Sequence, residues 1–248
     1  MNSCLDFIKQ KNITHTHQKW INYYEIYDNI FKIFKNKNPT ILEIGCWKGG
    51  GLELYNYCFD NKCSLIGLDI DKNCKQFEKD FNNCKMYIKS QDDPYIADLI
   101  MKEHGLIDII IDDGSHKSEH QITSFLNFFK HLKDGGYYLC EDVHTSYWPH
   151  ISSHKPSFID FCKELINIIH YDAIHHSWGN KQKIKYINNT DLKYILENLK
   201  SIKFNNGIIV FEKKNIKPTY AITYNSYDEK YKNGKISSIL DFRKTRKI

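Results

Sequence analysis

The chain reads as an α/β protein built on a mostly parallel sheet with helices on both faces. Three observations carry that reading. Short β-branched apolar runs alternate with stretches of three- and four-residue periodicity up to about residue 140. Several of those runs stop at glycine or at acidic residues, as strands do when their carboxyl ends face a ligand. No Pro/Gly/Ser-rich linker interrupts the pattern, and 248 residues with 41% hydrophobic and 26% charged content suit one globular domain.

The elements follow in order. Gln18 to Lys35 is a helix with one apolar stripe, Trp20, Tyr23, Tyr24, Tyr27, Ile30, Phe31 and Phe34, closed by Pro39. In that stripe Tyr27 reads as packing alone, with no part in a site. Thr40 to Gly45 is a buried strand, and Gly49 to Tyr57 a helix. Ser64 to Ile70 is a strand, Lys72 to Phe81 a helix, Lys85 to Lys89 a strand and Asp93 to His104 a helix. Ile107 to Ile111 is an apolar strand, and Glu119 to Leu132 is an amphipathic helix. Asp134-Gly135-Gly136 reads as a turn before a strand over Tyr137 to Cys140. The alternation then breaks. A lid at about 143–156 is rich in His, Ser, aromatics and Pro, and Ser157 to Asp172 is a further helix. Lys183 to Ile187, Ser201 to Phe204 and Gly207 to Glu212 are extended. The organisation is an N-terminal helical segment 1–38, a main domain 39–216 and a basic extension 217–248.

Charge and cysteine usage narrow the function classes. The formal charge of +5 is mild and scattered, which argues against a nucleic-acid face. None of the eight cysteines forms a C-x-x-C pair, so zinc ribbons and thioredoxin-type motifs are excluded, and reduced thiols in the cytoplasm are expected. The N-terminus lacks the apolar core of a signal peptide, and no run of apolar residues is long enough to span a bilayer.

The chemistry lies at the strand ends. The first strand runs into Glu43-Ile44-Gly45-Cys46-Trp47-Lys48-Gly49-Gly50-Gly51, a loop whose glycines let backbone approach a ligand. It is neither the dinucleotide fingerprint nor a phosphate-cradling Walker loop. The second strand ends at Asp69, whose carboxylate can accept more than one hydrogen bond. The third ends at Ser90-Gln91-Asp92-Asp93, with Asp93-Pro94 also able to open a helix. Asp112-Asp113-Gly114-Ser115-His116 and Glu141-Asp142 follow strands whose ends should be neighbours. Four carboxylates crowded at one mouth repel one another, and a hard divalent cation, Mg²⁺ or Mn²⁺, removes that conflict. Asp112 either shapes the turn or meets a ligand of the glycine loop, or else binds the metal, and His116 is either a base or a helix cap. His120 reads as a helix-surface residue. His144, Tyr147 and Trp148 either stack on a substrate or pack the lid shut.

These motifs resemble a known family. E-x-G-x-x-x-G-G after a first strand, with Asp69 ending the second, is similar to the class I S-adenosylmethionine-dependent methyltransferases. D-D-G-S-H followed by E-D-V-H-T-S-Y-W-P narrows the resemblance to the metal-dependent sugar O-methyltransferases, over roughly Thr16 to Lys213. The resemblance implies a Rossmann-like, mostly parallel seven-stranded sheet closed by a hairpin. It implies S-adenosylmethionine against Glu43, Gly45, Gly49, Asp69, Gln91, Asp92 and Asp112. It also implies Mg²⁺ on Asp113, Glu141 and Asp142, and His116 with Asp113 as catalytic groups. The implied reaction is methylation of a saccharide hydroxyl, in surface-polysaccharide or natural-product synthesis. Catechol-type or phosphate-type methylation, a non-catalytic binding module and a homo-oligomer joined through the aromatic N-terminal helix stay open. Asp113 far from Glu141 and Asp142, or a lysine filling the gap between them, would undo the metal reading.

Overall fold

The computed structural model describes residues 2–153, 155–170, 190–216, 220–221 and 237–238. The extended segment expected at Lys183 to Ile187 lies outside these residues, as do the end of the Ser157 to Asp172 helix and most of the basic extension.

Seven strands form one sheet in the order β3-β2-β1-β4-β5-β7-β6. β1 is Thr40–Ile44, β2 Ser64–Asp69, β3 Cys84–Ile88, β4 Ile107–Asp112, β5 Leu132–Cys140, β6 Leu199–Asn205 and β7 Ile208–Lys213. The first five pair in parallel; β7 runs antiparallel to both β5 and β6, which makes the closing hairpin. Strand order reverses between β1 and β4, and that reversal opens the crevice where such sheets bind ligands.

Alternation along the strands feeds two cores. Ile41, Ile109, Ile111 and Leu139 face one layer, where they meet Tyr27, Phe31, Leu54 and Tyr55. Leu42, Ile44, Ile110 and Tyr138 face the other, with Phe125, Phe128, Phe158 and Leu165. The first layer is made by α1 (Cys4–Phe7), α2 (Ile21–Phe31) and α3 (Gly50–Cys58). The second holds α5 (Ile96–His104), α6 (Ser118–Phe128), α7 (Phe158–Ile169) and α8 (Thr190–Asn198), while α4 (Phe77–Asp80) sits beside β3. The aromatic stripe of α2 is therefore core: Tyr23, Tyr24, Tyr27 and Phe31 are buried within the chain's own first layer.

The expected Asp93 to His104 helix begins at Ile96, and the Glu119 to Leu132 helix ends at Phe128, with Leu132 opening β5. Three further elements differ from the sequence reading. The first helix begins at Ile21 instead of Gln18, because Trp20 has an extended backbone (ψ 137°). Residues 14–20 are thus freed to run as a strap across α3. The Lys72 to Phe81 helix is a 3₁₀ turn, Lys72–Gln76, followed by the single turn of α4. Asp134-Gly135-Gly136 is no separate turn but part of β5, where the register slips from Ile107↔Leu132 to Ile109↔Tyr137 and Gly135 takes φ +80°. All eight cysteines are free.

Candidate active site

A cavity of about 780 Å³ opens at the β1/β4 reversal. Its floor on one side is the loop after β1. Gly45 has φ +83°, and a Cβ there would stand 2.3 Å from the Asp113 carbonyl oxygen, so the two loops pack backbone against backbone. Asp69 organises the same loop: its Oδ2 accepts from the N–H groups of Cys46 (2.8 Å) and Trp47 (2.9 Å), and its Oδ1 from Asp71. Ser90 and Gln91 line this end. Gln91 donates to Asp112 (3.2 Å) and Ser124 (2.9 Å) and accepts from the Ser115 N–H (2.8 Å), which fixes the start of the His116 loop.

The other end is acidic. One possible ligand atom from each of Asp113, His116 and Asp142 lies within 4.8 Å of the other two. His116 Nε2 is 3.9 Å from each carboxylate, too far for a hydrogen bond and wide enough to admit a ligand atom. Neither Asp113 Oδ1 nor Asp142 Oδ2 has a hydrogen-bond partner among the described residues. Two unpartnered carboxylate oxygens beside an imidazole fit a hard divalent cation that keeps open positions. Asp142 is held from behind: its Oδ1 accepts from Trp20 Nε1 (3.1 Å) and the Tyr23 hydroxyl (2.8 Å). Thr145 Oγ1 reaches the carbonyls of His116 (2.9 Å) and Asp142 (2.7 Å), tying the lid to both reactive loops.

A lysine does stand in the acidic cluster. Lys19 Nζ donates to Asp113 Oδ2 at 2.6 Å and to both oxygens of Glu141 at 3.0 and 3.1 Å, and lies 3.8 Å from Glu43. Its side chain is 4% exposed. Glu141 also accepts from the Tyr27 hydroxyl. Burial and the Asp113 carboxylate push Glu141 upward, against the pull of Lys19 and Tyr27. Lys19 fills the gap between Asp113 and Glu141, yet it leaves the Asp113–Asp142 side open.

The expected residues therefore fall into groups. Gly45, Asp69, Gln91, Asp113, His116, Glu141, Asp142, His144 and Trp148 line the cavity. Glu43, Gly49, Asp92, Asp112 and Tyr147 do not. Glu43 is buried beneath the loop, accepting from the Tyr55 hydroxyl at 2.9 Å. Gly49 packs against Phe77 and His15. Asp112 is buried and accepts from Tyr138 (2.7 Å), with burial lifting its carboxyl to about 7, so it shapes the turn. Asp92 is turned toward Ser90 and toward His120, 3.5 Å away. His120 is no plain surface residue: it lines the cavity and shares a 2.8 Å hydrogen bond with Ser115. Tyr147 points to solvent. Tyr27, read as packing alone, binds Glu141. At the mouth, Trp20, His144, Trp148 and His150 form a chain of rings 5.0–5.9 Å apart.

The strap residues Gln18, Lys19 and Trp20 line the cavity and were missed. Gln18 and Lys19 sit in a polar stretch, His15-Thr16-His17-Gln18-Lys19, that has no periodicity to mark it, and Trp20 reads as part of the apolar stripe.

No family model matches the chain. Demethylmacrocin O-methyltransferase of Streptomyces fradiae is 35% identical over 130 residues, 50% of this chain and 32% of that protein. The 8-demethyl-8-α-L-rhamnosyl tetracenomycin-C 2′-O-methyltransferase of Streptomyces olivaceus is 30% identical over 178 residues, 66% of this chain and 45% of that protein. Among solved structures, MycE methyltransferase of the mycinamycin pathway, in complex with Mg, SAH and mycinamycin VI, superposes with a TM-score of 0.64. It is 26% identical, over 78% of this chain and 50% of that one. The chain has the class I methyltransferase fold. Its sequence resembles sugar O-methyltransferases of macrolide and tetracenomycin pathways, and it spans about a third to a half of the length of these relatives. No helix among the described residues is long and apolar enough to cross a membrane.

Proposed function

We propose that this chain is an S-adenosylmethionine-dependent O-methyltransferase acting, with a divalent cation, on a hydroxyl of a saccharide-bearing molecule such as a natural-product glycoside or a surface glycan. One observation carries the reading: a single cavity joins the Gly45–Asp69 loop to the Asp113–His116–Asp142 group and opens between aromatic rings. The sulfonium would supply an electrophilic methyl, and a cation on Asp113 and Asp142 would lower the pKa of the acceptor hydroxyl. His116 Nε2 faces the space between the two carboxylates and takes the hydroxyl proton; its Nδ1 is buried without a hydrogen-bond partner among the described residues. Asp142, anchored by Trp20 and Tyr23, holds the acceptor oxygen's position, and the rings of Trp20 and Trp148 offer apolar faces to a pyranose. Glu141, Gln91 and Asp92 support this site from behind or from the adenosine end.

The test is methyl transfer to a panel of glycosides and catechols, read by product mass, with and without chelator. Glycoside products that vanish with chelator and return with Mg²⁺ are expected. Full activity in a metal-free preparation, or methylation of catechols alone, would refute the reading.

A further inference from the structure

Lys19 is more than a counter-ion at the edge of the site. We propose that it is a positioning residue that divides the acidic cluster, keeping Glu141 as its own anchor and leaving the cation a two-carboxylate site on Asp113 and Asp142. The inference rests on the metal-assisted reading above and departs from the ligand set that the sequence resemblance implies, in which Glu141 also binds the cation.

The donor count supports it. An ammonium has three N–H groups. Here Asp113 Oδ2 and the two oxygens of Glu141 accept them. Glu141 takes the Tyr27 hydroxyl as well, so both its oxygens are engaged. Glu43 Oε2 is unpartnered among the described residues but lies outside the cavity lining; on the cavity side the unengaged oxygens are Asp113 Oδ1 and Asp142 Oδ2, and these are the two that converge with His116. The chain on both sides of Lys19 is also fixed. Thr16 bridges to Gly49, His17 bonds the Gly50 carbonyl (3.0 Å) and the Tyr24 hydroxyl (2.7 Å), and Trp20 bonds Asp142. The strap thus fixes the ammonium, the ammonium orients Asp113, and the next residue orients Asp142. The ammonium faces Glu43, Asp113 and Glu141 but not Asp142, so the free oxygens of Asp113 and Asp142 still present negative charge to a dication. Two carboxylates leave the remaining positions open to water and acceptor oxygens.

The test is Mn²⁺ binding to the full chain, followed by the spin signal of the free ion, with no methyl donor or acceptor present. Wild type should bind one ion, and Asp142→Asn should weaken it. Lys19→Met should bind Mn²⁺ about tenfold tighter or more, because an uncompensated carboxylate now faces the dication; a purely structural lysine would give unchanged or weaker binding. The double variant Lys19→Met/Glu141→Gln should return to within about threefold of wild type, since the pair is removed together. In wild-type protein labelled with ¹⁵N-lysine, the Lys19 ammonium signal, assigned by its loss in Lys19→Arg, should persist in saturating Mg²⁺. That measurement decides the matter if Lys19→Met does not fold. Loss of the signal with Mg²⁺ overturns the proposal, as does a tenfold loss of affinity in the double variant or no tightening in Lys19→Met. Wild type that binds no Mn²⁺, or that Asp113→Asn and Asp142→Asn leave unaltered, overturns the metal-assisted reading itself.

Discussion

His116 (φ +59°) and Asp142 (φ +53°) both sit in the left-handed region, which costs a non-glycine residue about 1–3 kcal/mol. Each follows a strand end, and the reversed backbone turns the side chain back over the crevice instead of along the sheet. Two such residues facing each other argue for a shared task. Replacing His116 by Ala should lower kcat by ~10²–10⁴-fold. Calorimetry should still show S-adenosylhomocysteine binding, since the Asp69 loop is untouched; a variant with full turnover would remove His116 from the chemistry. Glu43 gives a pH signature at the same scale. Burial pushes it from the usual 4.5 up to about 7, with Lys19 pulling the other way. The folded chain thus keeps a proton that the unfolded chain releases, so this group's contribution to stability falls as pH rises from about 4.5 to about 7 and is level above that. Glu43→Gln keeps an acceptor for Tyr55 but cannot titrate. Its denaturation midpoint should gain on wild type between about pH 5 and pH 8. An offset equal at both pH values would show that Glu43 is not the source.

The strap and the capped helix separate function from stability at the scale of elements. A Cβ on Gly50 would lie 2.3 Å from the Thr16 carbonyl oxygen and 2.6 Å from His17 Cα, both backbone, so the strap must move. Gly50→Ala should therefore cost about 1–3 kcal/mol and raise KM for the acceptor, because Lys19 and Trp20 move with it. Helix α7 is different: Ser157 and Asp160 form a reciprocal capping box remote from the cavity lining. Ser157→Ala should cost about 1 kcal/mol, some 2–4 °C in Tm, with kcat unchanged. Equal kinetic effects of the two variants would deny the strap its role. The same contrast explains what the sequence revealed. Strands such as Ile107–Asp112 were legible because buried parallel strands are continuous apolar runs, and their acidic ends marked the mouth. The glycines after β1 were legible as a loop but not in their targets: Gly50 yields to the strap rather than to a ligand. Lys19 was illegible because a buried charge is defined by partners from distant positions, here 94 and 122 residues away. Tyr27 was misread because a hydroxyl on an apolar stripe looks like packing until its acceptor, Glu141, is placed beside it.

At the scale of the whole molecule, strand order puts two separate binding devices into one crevice. The Asp69 loop hangs from β1 and β2; the Asp113–His116–Asp142 group hangs from β4 and β5. They meet where Gly45 packs on the Asp113 backbone and the Asp113 N–H donates to the Ile44 carbonyl (2.9 Å). Two devices carried by different strand pairs should respond to their ligands separately. A ligand that binds only the folded state at a hundred times its Kd adds about 2.7 kcal/mol of stability. Thermal melts should therefore show one upward shift with S-adenosylhomocysteine and another with Mg²⁺. Asp69→Ala, which strips the acceptor from the Cys46 and Trp47 N–H groups, should abolish the first shift and keep the second. Asp142→Asn should do the reverse. If either substitution abolishes both shifts, the crevice is one coupled site, and the backbone contact between Gly45 and Asp113 transmits the state of each half to the other.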